Sequence, residues 1–250
     1  EYSIRDVCVD DPRGELGLTQ FTQPALFVVN ALTYRARLEE GKPAPDFVAG
    51  HSLGEYNALL AAGVYDFATG VTLVKRRGQI MAAVSGGGMA AVIGMEPRRI
   101  QEVLSTTEAG RRLDVANFNS YDQTVIAGPK ADLAVVKEQF EEAGVRAYIP
   151  LNVSAPFHSR YMREAQMTFA AFLHAVPLVP PQIPVISNVS GKPYEGDLVW
   201  QTLSEQIGNS VRWLESIVYL LDRTDPQFEE VGPGTVLTKL VAQIKKKRPS

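Results

Sequence analysis

The sequence is poor in the residues that mark several functional classes. Cys8 is its only cysteine in 250 residues, so an internal disulfide is impossible and a reducing, cytoplasmic location is expected. No apolar run approaches the roughly 20 residues that a membrane-spanning helix needs. The 25 basic and 28 acidic residues give a net charge of -3, which provides no general attraction for nucleic acid or an anionic membrane. No group of His, Cys and carboxylate residues has metal-site spacing, so no metal is expected.

Strand-like and helix-like segments alternate along the chain and predict an α/β fold. From residue 87 to 153 the order of elements is β-α-β-β-α-β, that of a ferredoxin-like unit. We predict a ferredoxin-like subdomain over 87–153, inserted in a larger α/β-hydrolase-like domain with a parallel sheet, formed by 1–86 and 154–250. The predicted strands are 47–49, 89–93, 113–117, 124–127, 146–151, 183–188 and 227–231. The predicted helices are 23–40, 55–62, 67–84 after an Asp66 cap, 97–104, 131–143, 161–175, 199–207, 211–221 and one from about 236.

Residues 50–54 read Gly-His-Ser-Leu-Gly and fit the pattern G-x-S-x-G. The pattern lies between a predicted buried strand and a predicted helix, where a sharp turn would expose the Ser52 hydroxyl as a nucleophile. Such a turn is expected to require glycine at both flanks, since side chains at Gly50 and Gly54 would collide. The alternative is a tight turn with an N-capping serine. The strand-to-helix position favours Ser52 as the nucleophile.

A serine nucleophile needs a base, and the chain has only three histidines. His51 adjoins the serine and is expected to point away from it. His174 lies near a helix end, where a protonated imidazole interacts favourably with the helix dipole. His158 lies in a loop after a predicted strand, where such sheets place catalytic groups. We predict His158 as the base, kept neutral by the positive end of the helix that begins near Ser159. The carboxylates available for a triad fall inside the predicted insert and none is well placed: Asp114, Asp122 and Asp132.

Arg77 has an unusual position in its predicted helix. Its neighbours three and four positions away are all apolar: Leu73, Val74, Ile80 and Met81. A guanidinium in such a buried stripe is costly unless a carboxylate or phosphate pairs with it. The partner is either an internal Asp or Glu, in a structural ion pair, or the carboxylate of a substrate. Spacing alone does not separate these alternatives.

Seven segments together resemble a known family, in its order and spacing and over nearly the whole chain. They are GHSLGEYNALLAAG (50–63), LVKRRGQIM (73–81), GGMAAVIG (87–94), NFNS (117–120), SAPFHSRYM (154–162), PVISNVSG (184–191) and VGPGTVLTKL (231–240). On these segments the sequence resembles the malonyl-CoA:acyl-carrier-protein transacylases, which include fatty-acid enzymes and the acyltransferases of polyketide synthases. The likeness is closest to the free-standing acyltransferases that serve polyketide lines lacking built-in ones.

The resemblance implies a role for each matching residue. Ser52 would be the nucleophile and His158 the base of a dyad, its imidazole oriented by a backbone carbonyl within 204–206 rather than by an aspartate. Arg77 would pair with the malonyl carboxylate, and the Leu53 N–H would form part of the oxyanion hole. The substrate pocket would further involve Gln206, Asn119 and Gln23, and Phe157 would crowd out an α-methyl group.

The implied reaction moves malonyl from malonyl-CoA to the phosphopantetheine thiol of an acyl carrier protein. Because the partner carries the phosphopantetheine, no cofactor of its own is expected, and the protein is expected to be a monomer. Two rivals remain: a serine hydrolase such as a thioesterase, and a non-catalytic subunit that docks carrier proteins. The family opens with a strand and a Gly-Gln-Gly-Ser-Gln loop whose first glutamine helps to form the oxyanion hole. The sequence lacks this opening, and we expect the full protein to have it.

Overall fold

The computed structural model describes residues 2–223 and 226–248. The strands are β1 (Val48–Ala49), β2 (Gly87–Ile93), β3 (Asp114–Ser120), β4 (Gln123–Pro129), β5 (Ala147–Pro150) and β6 (Val185–Ile186). The helices are α1 (Ile4–Val9), α2 (Thr19–Glu39), α3 (Gly54–Ala61), α4 (Phe67–Ala82), α5 (Pro97–Ser105), α6 (Glu108–Arg111), α7 (Lys130–Glu142), α8 (Arg163–Leu173), α9 (Val199–Glu205), α10 (Trp213–Leu221) and α11 (Val236–Lys247). None of the described helices is both long and apolar enough to cross a membrane.

Strands β2 to β5 form an antiparallel sheet in the order β3-β4-β2-β5. Because side chains alternate across a strand, each face of the sheet has its own core. Ala90 and Val92 of β2 pack with the helices α5 and α7. Met89 and Ala91 project from the opposite face, in a smaller apolar cluster with residues of β3 and β4. This second face borders the cavity described below.

The other sheet is a parallel pair in which Val48 and Ala49 of β1 are aligned with Val185 and Ile186 of β6. Helices α2, α3, α4, α8 and α9 pack beside it around the largest apolar cluster of the described chain. The side chains of Phe27, Leu59 and Phe169 are fully buried there. Burial of such side chains stabilises the fold by about 1.5–3 kcal/mol each. The cluster therefore gives rigid support to the turn that follows β1.

The antiparallel sheet packs closely against loops of the rest of the chain. An added Cβ on Gly87 of β2 would lie 2.5 Å from the ring of Pro156, so only glycine allows this approach. At β3, the Phe118 N–H donates to the Val211 carbonyl at 2.9 Å and the Val211 N–H donates to the Ala116 carbonyl at 2.8 Å. The antiparallel sheet is thereby fastened to the loops before α8 and α10.

The structure agrees with most predicted elements and differs at some. Asp66 caps α4 as predicted, accepting a hydrogen bond from the Thr69 N–H at 2.8 Å. The strand predicted over 227–231 is wrong, because Phe228 instead packs against an apolar cluster and Glu230 accepts hydrogen bonds from the N–H groups that begin α11. The short helix α6 was not predicted. The helix predicted over 161–175 opens with a 3-10 turn, Arg160–Met162.

Candidate active site

Ser52 lies at the sharp turn between β1 and α3, with its backbone in the left-handed region at φ 51°. An added Cβ on Gly50 would lie 1.9 Å from the Gly54 carbonyl carbon, so glycine is required at this flank. The prediction that Gly54 also avoids a collision is wrong, since an added Cβ there meets nothing within 4 Å. The strain at Ser52 persists because the surrounding contacts hold it.

Asn188, just after β6, clamps this turn from both sides. Its Oδ1 accepts a hydrogen bond from the Ser52 N–H at 2.7 Å, and its Nδ2 donates to the Gly50 carbonyl at 2.7 Å. The Leu53 N–H, by contrast, makes no hydrogen bond with any part of the chain that the structure describes. A free N–H next to the serine is what an oxyanion hole requires.

The structure brings Ser52 and His158 together. The Ser52 Oγ lies 2.8 Å from the His158 Nε2, and the His158 Nδ1 lies 3.0 Å from the Gln206 backbone carbonyl. Because a carbonyl only accepts, Nδ1 carries the proton and Nε2 is free to accept one from the serine. His158 is itself held at φ 58°, a conformation that is costly for a residue with a Cβ.

The His158 imidazole is neutral, as predicted, but the cause differs from the prediction. Burial, followed by the nearby Arg77 charge, lowers the pKa of His158 to about 3. The expected helix end is not beside the ring, because α8 begins only at Arg163, after the 3-10 turn. The hydrogen bond to the Gln206 carbonyl acts in the opposite direction and favours the charged form.

Arg77 lies in the middle of α4, and its side chain extends to the Ser52 hydroxyl. Its side chain is 1% exposed. Nη1 donates to the Gln23 Oε1 at 2.8 Å, and Nη2 donates to the Ser52 Oγ at 3.1 Å and to the Gln206 Oε1 at 2.9 Å. Its carbon Cζ lies 5.1 Å from the centre of the Tyr56 ring. Burial lowers the pKa of the guanidinium, although its charge remains.

All of these Arg77 acceptors are uncharged, and its Nε has no hydrogen-bond partner within the described residues. No carboxylate in residues 2–223 and 226–248 forms an ion pair with it, so the structural ion pair is not observed there. A buried cation with neutral partners and a free donor is strongly attractive to an anion. Of the two partners that the sequence allowed, an internal carboxylate or the carboxylate of a substrate, the geometry therefore favours the substrate.

A cavity of about 410 Å³ lies between the two sheets and contains this group. Its lining includes seven of the residues expected from the sequence: Gln23, Ser52, Leu53, Arg77, Asn119, Phe157 and His158. Gln206 does not line the cavity; it is fully buried behind Arg77 and Ser52. Its position suits a residue that holds the site together more than one that touches substrate.

His51 makes no hydrogen bond with the Ser52 hydroxyl, whose described partners are His158 and Arg77, but it lines the same cavity. Its Nε2 lies 2.9 Å from the Asn119 Oδ1, and its ring lies 5.8 Å from the Trp213 ring. Burial lowers the pKa of His51, so the ring is neutral, and its contact with Asn119 holds that amide in place. The third histidine, His174, packs against Trp200 with the two ring centres 4.3 Å apart and is absent from this group.

Sequence reasoning missed two residues behind the serine, Glu55 and Asn188. Glu55 has the apolar neighbours Ala58, Leu59 and Ala62 on its helical face, the same signal that identified Arg77. Asn188 carried no such signal, because its partners are backbone groups of Gly50 and Ser52, distant in sequence.

This site has a serine with a strained backbone, hydrogen-bonded to a histidine in a cavity beside a parallel sheet. The same arrangement occurs in α/β enzymes that carry acyl groups on serine. A family model described as an acyl transferase domain matches residues 1–248. A Bacillus subtilis (strain 168) protein named polyketide biosynthesis malonyl CoA-acyl carrier protein transacylase PksC is 50% identical over 246 residues, which cover 98% of this chain and 85% of that protein. The chain belongs to the acyl transferase domain family and, within it, to the malonyl CoA-acyl carrier protein transacylases.

Solved structures agree with this placement. The crystal structure of a malonyl CoA-acyl carrier protein transacylase from Burkholderia pseudomallei matches with a TM-score of 0.95 at 50% identity, covering 100% of this chain and 87% of that one. A malonyl-transacylase solved in complex with a type II polyketide synthase acyl-carrier protein matches with a TM-score of 0.93 at 36% identity, covering 98% and 81%. The predicted α/β class with a parallel sheet and the predicted family resemblance are confirmed.

Proposed function

We propose that this chain transfers malonyl from malonyl-CoA to the phosphopantetheine thiol of an acyl carrier protein, through a malonyl ester on Ser52. One observation carries the choice of acyl group: Arg77 is buried beside the Ser52 hydroxyl with only uncharged partners. A malonyl group has the carboxylate that this guanidinium lacks, whereas an uncharged acyl group would leave the charge unpaired.

In the first half-reaction, the Ser52 Oγ attacks the thioester carbonyl while the His158 Nε2 takes its proton. The resulting imidazolium is supported by the hydrogen bond from Nδ1 to the Gln206 carbonyl. The tetrahedral oxyanion is stabilised by the Leu53 N–H. When the carbon–sulfur bond breaks, His158 returns the proton to the coenzyme A sulfur, and malonyl remains on the serine.

The second half-reaction reverses these roles. The carrier-protein thiol gives its proton to the His158 Nε2 and attacks the malonyl-serine carbonyl, and the proton then passes to the Ser52 Oγ as the ester breaks. One neutral base therefore serves both steps, and its lowered pKa keeps it neutral at physiological pH.

The malonyl carboxylate is proposed to bind the Arg77 guanidinium, with Gln23 and Asn119 as polar contacts in the same cavity. Gln206 acts through its contacts to Arg77, Ser52 and His158. The Phe157 ring on the cavity wall would disfavour an α-methyl group by crowding.

An acyl carrier protein is the proposed partner, supported by the similar transacylase that was solved with one. Basic residues near His158 are expected to meet an acidic carrier. Arg160 is already bound by Asp114, with its Nε 2.8 Å from Oδ1. A second, more open groove beside His158 is lined by both Arg160 and Arg163, and Arg163 forms no ion pair with the described residues. Arg163 is therefore the stronger candidate for the contact.

Several finer assignments are part of the same proposal. The strand order β3-β4-β2-β5 supports a ferredoxin-like subdomain over 87–153, set within a larger α/β-hydrolase-like domain of 1–86 and 154–250. The identity with PksC supports service in a polyketide pathway. We further propose that the protein is a monomer and needs no cofactor beyond the phosphopantetheine of its partner. The single Cys8 supports a cytoplasmic location.

The thioesterase alternative fits less well, because the carboxylates considered for a triad are bound elsewhere. Asp114 binds Arg160, Asp122 binds Lys247 and Asp132 binds Arg112. The imidazole is instead held by a carbonyl. A hydrolase that releases uncharged acyl groups would also have no use for Arg77.

The proposal is tested by incubating the protein with malonyl-CoA and measuring its intact mass. The wild-type protein should gain one malonyl group and lose it to a carrier protein. Ser52→Ala should remain folded and slow acyl-enzyme formation by about 10⁴-fold or more, because the nucleophile is gone. His174→Ala is the control for a histidine outside the cavity and should load normally. A stable adduct on Ser52→Ala, or none on wild type, would refute the assignment.

A further inference from the structure

Glu55 is a fully buried carboxylate that the reaction described above does not use. It lies in the first turn of α3, one turn after the nucleophile, and its exposed fraction is 0%. Oε1 accepts from the Asn188 N–H at 3.0 Å and the Tyr194 hydroxyl at 2.6 Å, while Oε2 accepts from the Gln206 Nε2 at 2.7 Å. These donors are all uncharged, so a costly buried carboxylate is kept without a direct cation.

The Gln206 side chain stands between Glu55 and Arg77. Its Nε2 donates to the Glu55 Oε2 and to the Ser52 carbonyl, both at 2.7 Å. Its Oε1 accepts from the Arg77 Nη2 at 2.9 Å. With both amide hydrogens used on one side, Gln206 can present only its oxygen to the guanidinium.

Glu55 determines this orientation of the amide. An ionised carboxylate accepts hydrogen bonds and donates none, so only the NH₂ of Gln206 can face it. A reversed amide would set its oxygen against the oxygens of Glu55 and Ser52, and its NH₂ against the guanidinium of Arg77. Each of these buried contacts would be unfavourable.

The order carboxylate, amide, guanidinium also keeps the two charges apart by one side chain. A carboxylate bonded directly to Arg77 would satisfy it and compete with the carboxylate of a substrate. The neutral oxygen of Gln206 positions the guanidinium without neutralising it. The Gln206 backbone carbonyl holds the His158 Nδ1 at 3.0 Å, and this contact does not depend on which way the side-chain amide is turned.

We propose that Glu55 is a positioning residue that, through the Gln206 amide, holds Arg77 unpaired and correctly placed for the substrate carboxylate. This role rests on the proposed malonyl transfer. It differs from a purely structural role in one respect: loss of the carboxylate should change the preference between acyl groups, and not only the amount of folded protein.

The test compares malonyl and acetyl loading of Glu55→Gln. The new amide cannot accept from three donors on its two ends, so Gln206 is forced to turn or to lose a bond. Assays run at about pH 8, above the pKa of Glu55, which burial raises to about 7. We expect kcat/KM for malonyl-CoA to fall by roughly tenfold or more and kcat/KM for acetyl-CoA to change by less than about threefold.

Two further variants separate positioning from folding. Tyr194→Phe removes one hydrogen bond to Glu55 but leaves its contact with Gln206; it should lower stability and keep the malonyl-to-acetyl ratio within about twofold. The exchange Glu55→Gln with Gln206→Glu keeps the shapes and the total charge and puts a carboxylate directly on Arg77, while it gives up the hydrogen bond to the Ser52 carbonyl, so the ratio of the two acyl groups is compared and not the absolute rate. It should lose malonyl preference by roughly tenfold or more, even if Glu55→Gln alone fails to fold.

A wild-type ratio in Glu55→Gln, or in the exchanged pair, would overturn the role of Glu55 while leaving malonyl transfer intact. A parallel loss of both acyl groups at constant ratio would also overturn it, since that is what a structural role produces. If the wild-type protein loads neither acyl group, the proposed function fails, and this role fails with it.

Discussion

Beside the cavity, Arg77 is 1% exposed and has no carboxylate partner within the described chain, whereas at the edge of the antiparallel sheet Arg112 is 46% exposed and pairs directly with Asp132. The Arg112 Nε and Nη2 donate to the two Asp132 oxygens at 2.9 and 2.6 Å. This pair raises the pKa of Arg112 and lowers that of Asp132. In the cavity, burial instead lowers the pKa values of both Arg77 and His158.

The difference shows that the two regions serve different ends. In the pair of Arg112 with Asp132, only the Arg112 side chain is open to solvent, while Asp132 is 8% exposed; a pair that water reaches from one side contributes modestly to stability and needs no further partner. A buried charge without an ionic partner lowers stability, and such charges are concentrated at functional sites. Removing one charged group at a time, and measuring both stability and acyl preference, tests this contrast.

The largest effect is expected from Arg77→Ala. Malonyl would lose the partner of its carboxylate, while acetyl would escape the cost of an unpaired guanidinium in the pocket. The ratio of malonyl to acetyl loading should therefore fall by about 10²-fold or more. Both rates are measured on the same folded preparation of the variant. Equal losses for malonyl and acetyl would make Arg77 a structural residue and remove the contrast with Arg112.

The buried stripe in α4 allowed Arg77 to be located from sequence, because helical spacing alone places Leu73, Val74, Ile80 and Met81 around it. The nucleophile turn was predictable for the same kind of reason, since Gly50 and Ser52 are neighbours in the chain. Contacts between residues so close in the chain are determined by local geometry. The contact between Arg77 and Gln206 could not be predicted in this way, because the two residues lie 129 positions apart.

The failures also have physical causes. A free space around Gly54 depends on what packs over the turn, which a five-residue pattern does not contain. The predicted strand over 227–231 has suitable apolar residues, but Phe228 packs against an apolar cluster and the Glu230 carboxylate instead caps α11. The pKa of His158 was expected to follow a helix end, yet burial from several distant segments dominates it. Each miss concerns tertiary surroundings.

A second, smaller effect concerns the pH dependence of stability. The pKa of His158 is lowered to about 3 in the folded protein, against about 6.5 when unfolded. Between these values the unfolded chain binds a proton that the folded chain does not, so His158 lowers stability as pH falls. Relative to wild type, His158→Asn should therefore be more stable at pH 5 than at pH 7, by about 2 kcal/mol.

The comparison must be made against wild type, because Glu55 acts in the opposite direction. Burial raises its pKa to about 7, so the folded chain binds the extra proton and this contribution to stability is lost as pH rises through that value. Urea unfolding at the two pH values measures the difference, and His174→Asn is the matched exposed-histidine control. A difference between His158→Asn and wild type that is equal at both pH values would contradict the burial of a neutral imidazole.

The smallest effect is expected from Arg112→Ala. Because Arg112 is half exposed, water can reach the Asp132 carboxylate once the guanidinium is removed, and loss of the pair should lower the melting temperature by only about 1–3 °C. The reduction should diminish as pH falls below about 4, where Asp132 in the unfolded chain and then in the folded chain becomes protonated. The malonyl-to-acetyl ratio should stay at the wild-type value, since the residue does not line the cavity. Thermal melts and loading assays on one preparation provide both readings. Suppose instead that Arg112→Ala shifted acyl preference as much as Arg77→Ala is expected to. Acyl preference would then depend on any positive charge in the region. The distinction between a paired charge that serves stability and an unpaired charge that binds substrate would be wrong.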